Sequence, residues 1–86
     1  MEFTKVSFHE STYGDYIQLS ESPPESYQAE ERIQVSGTEY NNREYNIMFV
    51  TRNSEGKKLV VGPDSGLVGE IAENVTIKKG HYVFPE

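Results

Sequence analysis

Apolar and polar residues alternate with a period of two along most of the chain, which is the pattern of half-buried β-strands and not of amphipathic helices. Residues 4–8 and 15–20 both alternate in this way, and the turn residues between them predict a hairpin. Further alternating or apolar segments follow, separated by clusters of turn residues. The predicted strands cover residues 4–8, 15–20, 32–36, 43–51, 57–61, 74–78 and 81–84.

The segment 43–51 has the strongest strand signal of the chain. Its apolar positions are Tyr45, Ile47 and Phe49 on one face and Met48 and Val50 on the other. Apolar residues on both faces predict a central strand that is covered twice, as inside a small barrel. The preceding residues 40–43 predict a turn, because asparagine tolerates a positive φ.

Two segments interrupt the alternation. Residues 20–31 contain Pro23-Pro24, and Pro24 is tolerated as the first residue of a helical turn over 24–31. Residues 67–73 fit either a short strand or a helical turn. The number and spacing of the strands predict an all-β or mostly β fold, with at most one short helical turn near residues 24–31. We expect a small antiparallel meander that closes into a barrel or a two-layer sandwich.

The net charge of the chain arises in one place. Eighty-six residues predict a single domain, 1–86, and its formal net charge is −6. An acidic, loop-rich segment at 10–31 holds six acids and no Lys or Arg, whereas the remainder balances eight acids with eight bases. The six acids are Glu10, Asp15, Glu21, Glu25, Glu30 and Glu31. Such a segment predicts either a docking surface for a basic partner or a solvated loop.

Composition and motifs argue against several functions. The chain has no cysteine, which excludes disulfides and thiolate chemistry, and it lacks a signal peptide and any long apolar run, so we expect a cytoplasmic location and no membrane contact. His9 and His81 have no metal-ligand spacing, and the glycines at 62, 66 and 69 are not followed by a phosphate-binding motif. We therefore expect no cofactor and no metal.

The string Asp64-Ser65-Gly66 is similar to the one around the serine of trypsin-like proteases, but the flanking glycines of that motif are missing. A catalytic serine also needs a base, an orienting acid and an oxyanion hole. We interpret residues 63–66 as a turn and expect that the protein is not an enzyme.

Nucleic-acid binding remains an alternative, although the acidic balance opposes it. Small β-barrels bind single strands by stacking bases on aromatic side chains, and this chain has ten Tyr and Phe residues. Basic residues also gather in the second half of the chain, where acids interleave with them. These residues are Arg43, Arg52, Lys57, Lys58, Lys78 and Lys79, with Tyr45, His81 and Tyr82 close by in sequence.

We expect a non-enzymatic binding module that docks on, or inhibits, a protein with a basic surface, as small acidic accessory proteins of bacteria and phages do. Glu21, Glu25, Glu30 and Glu31 would steer the partner. Tyr16 and Tyr27 would supply contact area, since Tyr is enriched at interface hot spots. The alternatives are a self-associating structural subunit of a larger phage-like assembly, which leaves a homo-oligomer open, and a small β-barrel that binds or mimics nucleic acid.

Overall fold

A computed structural model describes residues 2–12, 14–21, 27–53, 56–62 and 65–79. The predicted strand at 81–84, with His81 and Tyr82, lies outside these residues, as do Pro23-Pro24 and Glu25. No helix occurs in the described ranges, and therefore none that is long and apolar enough to cross a membrane.

The fold is all-β, as the alternation predicts. Within the described residues, seven antiparallel strands form one sheet in the order β4-β3-β7-β1-β2-β6-β5. The strands are β1 (Glu2–His9), β2 (Asp15–Leu19), β3 (Arg32–Ser36), β4 (Glu44–Asn46), β5 (Phe49–Asn53), β6 (Gly56–Gly62) and β7 (Glu70–Lys79). The predicted hairpin β1–β2 is confirmed, with Val6 opposite Leu19 and His9 opposite Tyr16.

Three hairpins and one inserted strand make up the sheet. β1–β2, β3–β4 and β5–β6 each pair with their neighbour in sequence, as in a meander. β7 instead lies between β1 and β3 and joins the hairpins β1–β2 and β3–β4. The sheet curls into a half-barrel, and its two outer strands, β4 and β5, are separated in sequence by only Ile47 and Met48.

The segment 43–51 is not the single central strand that its apolar pattern predicts. At Ile47 the backbone still bonds towards β3: its N–H donates to Glu31 O (2.8 Å), and its carbonyl accepts from Glu30 N (2.7 Å). At Met48 the backbone has changed partner, and its N–H donates to Val60 O of β6 (2.7 Å). The chain therefore bends between the two residues and forms the two edges of the sheet.

This bend also changes which face is buried. Tyr45 and Ile47 point into the core, but Phe49 is 54% exposed, as is Met48 at 53%. The inward position after the bend is Val50, which packs against the core. The prediction that Phe49 shares the buried face of Tyr45 and Ile47 is wrong, because strict alternation does not continue through a bend.

The core fills the inside of the curled sheet. Its members are Phe3, Val6, Phe8, Ile17, Leu19, Tyr27, Ile33, Val35, Tyr45, Ile47, Leu59, Val61, Leu67, Val75 and Ile77. The alternation breaks within β1, where Phe3 and Val6 both point inwards, and beside it in β7, where Ala72 packs on the core and Val75 is buried. The set of residues that face the core therefore changes in both strands at the same position along the sheet. Asn74 lies there and takes a φ of 56°.

A buried polar cluster connects the loop after β3 to the start of β7. The Asn41 side chain is fully buried; its Nδ2 donates to Val68 O (2.8 Å) and Glu70 Oε1 (2.6 Å). Its Oδ1 accepts from Val68 N (2.9 Å) and from the Tyr45 hydroxyl (2.9 Å). Burial raises the pKa of Tyr45 to about 12, so this hydroxyl stays protonated and donates. We refer to Asn41, Tyr45 and Glu70 as the latch.

The hydrogen bonds of the latch, and not a positive φ, explain the asparagine at position 41 in the segment 40–43. Among the described residues other than glycine, only Glu30 and Asn74 have a positive φ, so Asn41 is not there for its backbone conformation. Its side-chain amide instead connects Val68 and Glu70, at the start of β7, to Tyr45 of β4. The carboxylate of Glu70 completes the connection by accepting from Glu39 N (2.9 Å) and Tyr40 N (3.0 Å).

The predicted helical turn is also absent from its described part, residues 27–31. Glu31 N donates to Gln28 O (3.1 Å), and Glu30 takes a φ of 73°, which breaks any helix. Residues 67–69 are irregular, and the strand alternative at 67–73 is confirmed only from Glu70 onward.

The conformation of Asn74 yields a stability prediction. A β-branched residue tolerates a positive φ poorly, so we expect Asn74→Val to lower the free energy of unfolding by about 1–2 kcal/mol. Asn74→Gly, which adopts this φ freely, should be close to wild type. Urea denaturation followed by circular dichroism measures both. Equal stability of the Val and Gly variants would show that the strand rotation does not depend on this residue.

The latch yields a pH prediction. Desolvation acts to raise the pKa of Glu70, but hydrogen bonds from Glu39, Asn41 and Tyr40 outweigh it, and the pKa is lowered. A lowered folded-state pKa stabilises the protein above the ordinary value of 4.5, and this stabilisation is lost as the pH falls through the folded-state value.

We therefore expect the free energy of unfolding of the wild type to fall more steeply with acidification than that of Glu70→Gln. Urea titrations from about pH 6 to about pH 3 measure the two slopes. Glu73→Gln is the matched control, because Glu73 is an exposed carboxylate on the same strand. A wild-type slope that Glu70→Gln leaves unchanged would contradict the role of Glu70.

Candidate binding site

The carboxylates of the acidic segment do not form one surface. Asp15 is 6% exposed, and it accepts from Ser11 N (3.1 Å) and from the Ser65 hydroxyl (3.0 Å). Glu10 accepts from Gly69 N (3.3 Å) and Glu21 from Thr4 N (3.3 Å), at places where loops meet strands. Three of the acids therefore hold the backbone of other segments in place. The sequence did not predict this role for any of them.

Glu30 and Glu31 are the acids that the fold brings beside exposed apolar surface. Both bond through their backbones to Ile47, one residue before Met48. Glu31 pairs with Lys79 at 3.4 Å, with both side chains partly exposed, so this pair contributes at most about 1 kcal/mol. Glu30 is exposed and has the positive φ noted above.

The two tyrosines predicted as partner contacts lie in different environments. Tyr27 is 4% exposed and belongs to the core, where its hydroxyl donates to Ile77 O. Its contact area is therefore already used inside the fold. Tyr16 is half-buried on the outer face of β2, with the His9 ring stacked on it at 4.7 Å and Lys58 Nζ 4.7 Å from its ring centre. Tyr16 thus remains accessible, away from Glu30.

The Ser65 side chain forms hydrogen bonds that hold the fold together. Its hydroxyl donates to Asp15 Oδ2 and accepts from Leu67 N at 3.2 Å, so it connects the loop after β6 to the start of β2. Both bonds thus engage the Ser65 hydroxyl in holding segments of the fold together, and residues 63 and 64 of the predicted turn lie outside the described residues. No base of a catalytic triad is among its hydrogen-bond partners in the described part of the chain.

Within the described part of the chain, a concave surface surrounds Met48 at the bend between the two edge strands. On one side lies an open hollow of about 540 Å³, lined by Glu30, Asn46, Ile47 and Met48. On the other side lies a second hollow of about 400 Å³, lined by Glu44, Tyr45, Asn46, Met48, Val61, Gly62 and Ser65. Met48 therefore stands as a ridge between two hollows, and we call this region the corner.

Local packing holds the Met48 ridge in place. Its sulfur lies against Gly62, where a Cβ would come within 2.9 Å of Sδ, and Gly62 has a φ of 94°. Glycine at position 62 thus makes room for the side chain and permits the backbone turn at the end of β6. The nearby Glu44 pairs with Arg32 at 3.3 Å on the exposed surface, and the rim of the corner is acidic at Glu30 and Glu44.

The described residues contain no group of three His, Cys, Asp or Glu side chains placed to hold a metal ion. His9 lies against Ser7, with 3.0 Å between its Nε2 and the serine hydroxyl, and stacks on Tyr16. His81 lies outside the described residues.

Comparisons with known proteins supply no relative. No family model, no curated protein and no solved structure matches the chain.

The position of Ser65 yields a prediction that separates a structural role from a catalytic one. Ser65→Ala removes a hydroxyl donor from a buried carboxylate, which should lower the free energy of unfolding by about 1–3 kcal/mol. The control Ser36→Ala changes an exposed serine at the end of β3. Urea denaturation at neutral pH measures both variants, and wild-type stability of Ser65→Ala would contradict the structural assignment.

Proposed function

We propose that this protein is a non-enzymatic binding module and that its corner docks on a protein with a basic and apolar surface. The observation that carries the proposal is the exposed Met48 ridge between two hollows, with Glu30 on its rim. Apolar side chains exposed beside concave surface are typical of protein contacts.

The chemistry of the corner fits a partner side chain that is apolar with a charged end. Met48 is unbranched and polarizable, so it can adapt to the shape of a partner. The larger hollow is bordered by Met48, whose side chain is exposed, so a partner group that enters it gains apolar contact with that side chain. Lys and Arg combine an apolar stem with a cationic head, and the head would lie near Glu30.

Long-range electrostatics supports the same partner. A net charge of −6 on 86 residues attracts a basic surface and raises the association rate in a salt-dependent way. Glu21, Glu30 and Glu31 contribute to that field wherever their carboxylates lie, even though Glu21 and Glu31 also have partners within the chain. Glu30 is thus assigned both contact and steering, whereas Glu21 and Glu31 are assigned steering alone.

The proposed set of contact residues differs from the set predicted from the sequence. It keeps Glu30, adds Met48, and leaves Tyr27 out because that residue is buried. Glu25 lies outside the described residues, and Tyr16 lies on another face. An inhibitor or adaptor role, a bacterial or phage origin and a cytoplasmic location remain predictions.

Pull-down with matched variants tests this function. Tagged wild-type protein, Met48→Ser and Glu30→Lys are incubated with host lysate at low and high salt, and captured proteins are identified by mass spectrometry. We expect a partner that the wild type captures at low salt, that Met48→Ser loses, and that Glu30→Lys weakens by several-fold.

Two controls make the same chemical changes elsewhere. Ile71→Ser removes an exposed apolar side chain from β7, and Glu73→Lys reverses a charge on the same strand. Both should retain the partner. Loss of the partner in the controls as well would show that binding depends only on nonspecific apolar contact or on net charge. If the wild type captures no protein, a self-associating subunit is favoured, and light scattering would detect it.

A further inference from the structure

Two rows of side chains on β1, β2, β6 and β5 that face away from the core carry a lysine and no carboxylate, in contrast to the net negative charge of the chain. Register places Ser7 beside Gln18, Gln18 beside Lys58 and Lys58 beside Thr51 in one outward row. The next outward row contains His9, Tyr16, Val60 and Phe49. Neither row contains a carboxylate. We call these eight residues the outer face.

Aromatic rings on the outer face are arranged for stacking. The His9 and Tyr16 rings lie nearly parallel, with 17° between their planes and 4.7 Å between their centres. His9 is exposed, so the surface of the stacked pair meets solvent. Phe49 lies two strands from Tyr16, roughly 10 Å away, and is half exposed, so the row presents two aromatic positions.

Positive charge borders the same rings. Lys58 Nζ is 4.7 Å from the centre of the Tyr16 ring, which leaves its ammonium at the surface of the sheet. Lys5 lies on β1 at a shallow hollow of about 220 Å³, together with Ser7, Gln18, Leu19 and Ser20. Three polar side chains that can donate hydrogen bonds thus line the same hollow as Lys5. Glu73, opposite Lys5 on β7, marks the border of this cationic area.

We propose that the outer face binds single-stranded nucleic acid, with bases stacked on the His9–Tyr16 pair and on Phe49, and phosphates at Lys58 and in the Lys5 hollow. Base–aromatic stacking tolerates any sequence, and an open sheet face admits an extended strand but does not enclose a free nucleotide. The net charge does not forbid this, because salt screens charges beyond about 10 Å at 0.1 M. The local face therefore decides.

The basic stripe predicted from the sequence is a different set of residues. Lys57 and Lys58 lie on β6, whereas Lys78 and Lys79 lie on β7, three strands away across β1 and β2. Tyr45 is buried. The proposed face instead combines β1 and β2 from the first quarter of the chain with one lysine of that stripe.

Fluorescence anisotropy with a labelled oligothymidylate of about twelve nucleotides tests the proposal. We expect weak binding at about 0.1 M salt, where distant charges are screened, with a slope of log K against log salt of about −1.4 for two phosphate contacts. Tyr16→Leu should weaken binding by about tenfold or more, whereas Tyr16→Phe, which keeps the ring, should bind like the wild type. Lys58→Gln should weaken binding several-fold and reduce the slope.

A matched control removes the same charge elsewhere. Lys78→Gln changes an exposed lysine on β7, outside the outer face, and should leave binding unchanged. Circular dichroism and thermal unfolding establish that each variant is folded. Equal losses in Lys78→Gln and Lys58→Gln, equal binding of a duplex of the same length, or no binding at about 0.1 M salt would each overturn the proposal. The corner variants Met48→Ser and Glu30→Lys should retain oligonucleotide, which keeps this test separate from that of protein docking.

Discussion

The bend between Ile47 and Met48 is the constraint on which the rest of the structure depends. Two consecutive residues bond towards opposite ends of the strand order, Ile47 to the residues before β3 and Met48 to β6. A straight strand cannot do this, so the curl of the sheet and the bend of the chain require each other. The bend also turns Met48 and Phe49 outwards, and the exposed apolar surface is therefore a consequence of how the sheet closes.

The latch solves the second problem created by this topology. β7 lies between β1 and β3, so the loop before β7 must cross the end of the sheet without backbone pairing. Asn41 and Glu70 supply that pairing from side chains, and the Tyr45 hydroxyl connects the arrangement to the core. Buried polar groups are costly unless each is bonded, and no described buried side-chain nitrogen or oxygen lacks a partner. The cluster can therefore fix one arrangement of loop and strand.

Local alternation predicted much of the fold, because inward and outward positions repeat within each strand. The bounds of β3, and nearly those of β2 and β6, follow from it. The insertion of β7 could not be predicted in this way, since it depends on a pairing between residues far apart in sequence. The bend at Met48 was missed for the same reason: both faces of 43–51 are apolar, and only the two different partner strands explain why.

Residue type predicted the candidate site less well than it predicted the strands. Tyr27 and Asp15 belong to an acidic, aromatic segment, yet the fold buries both, because a small domain uses its large side chains and its hydrogen-bond acceptors wherever segments meet. Glu10 and Glu21 likewise bond to backbone N–H groups. Asn41 gave no signal at all, since an asparagine in a turn has a simpler backbone explanation.

Net charge governs the long-range approach of a partner to a domain this small, but it does not identify the contacts, because each surface is only a few side chains wide. The value of −6 sums over an acidic rim at Glu30 and Glu44 and over an outer face that carries Lys58 and no carboxylate. At about 0.1 M salt, a bound ligand senses mainly the charges within about 10 Å and not the sum over the whole chain. The bend places Met48 at the first of these surfaces and Phe49 on the second. One change of hydrogen-bond partner in the backbone thus positions an apolar side chain beside each kind of charge.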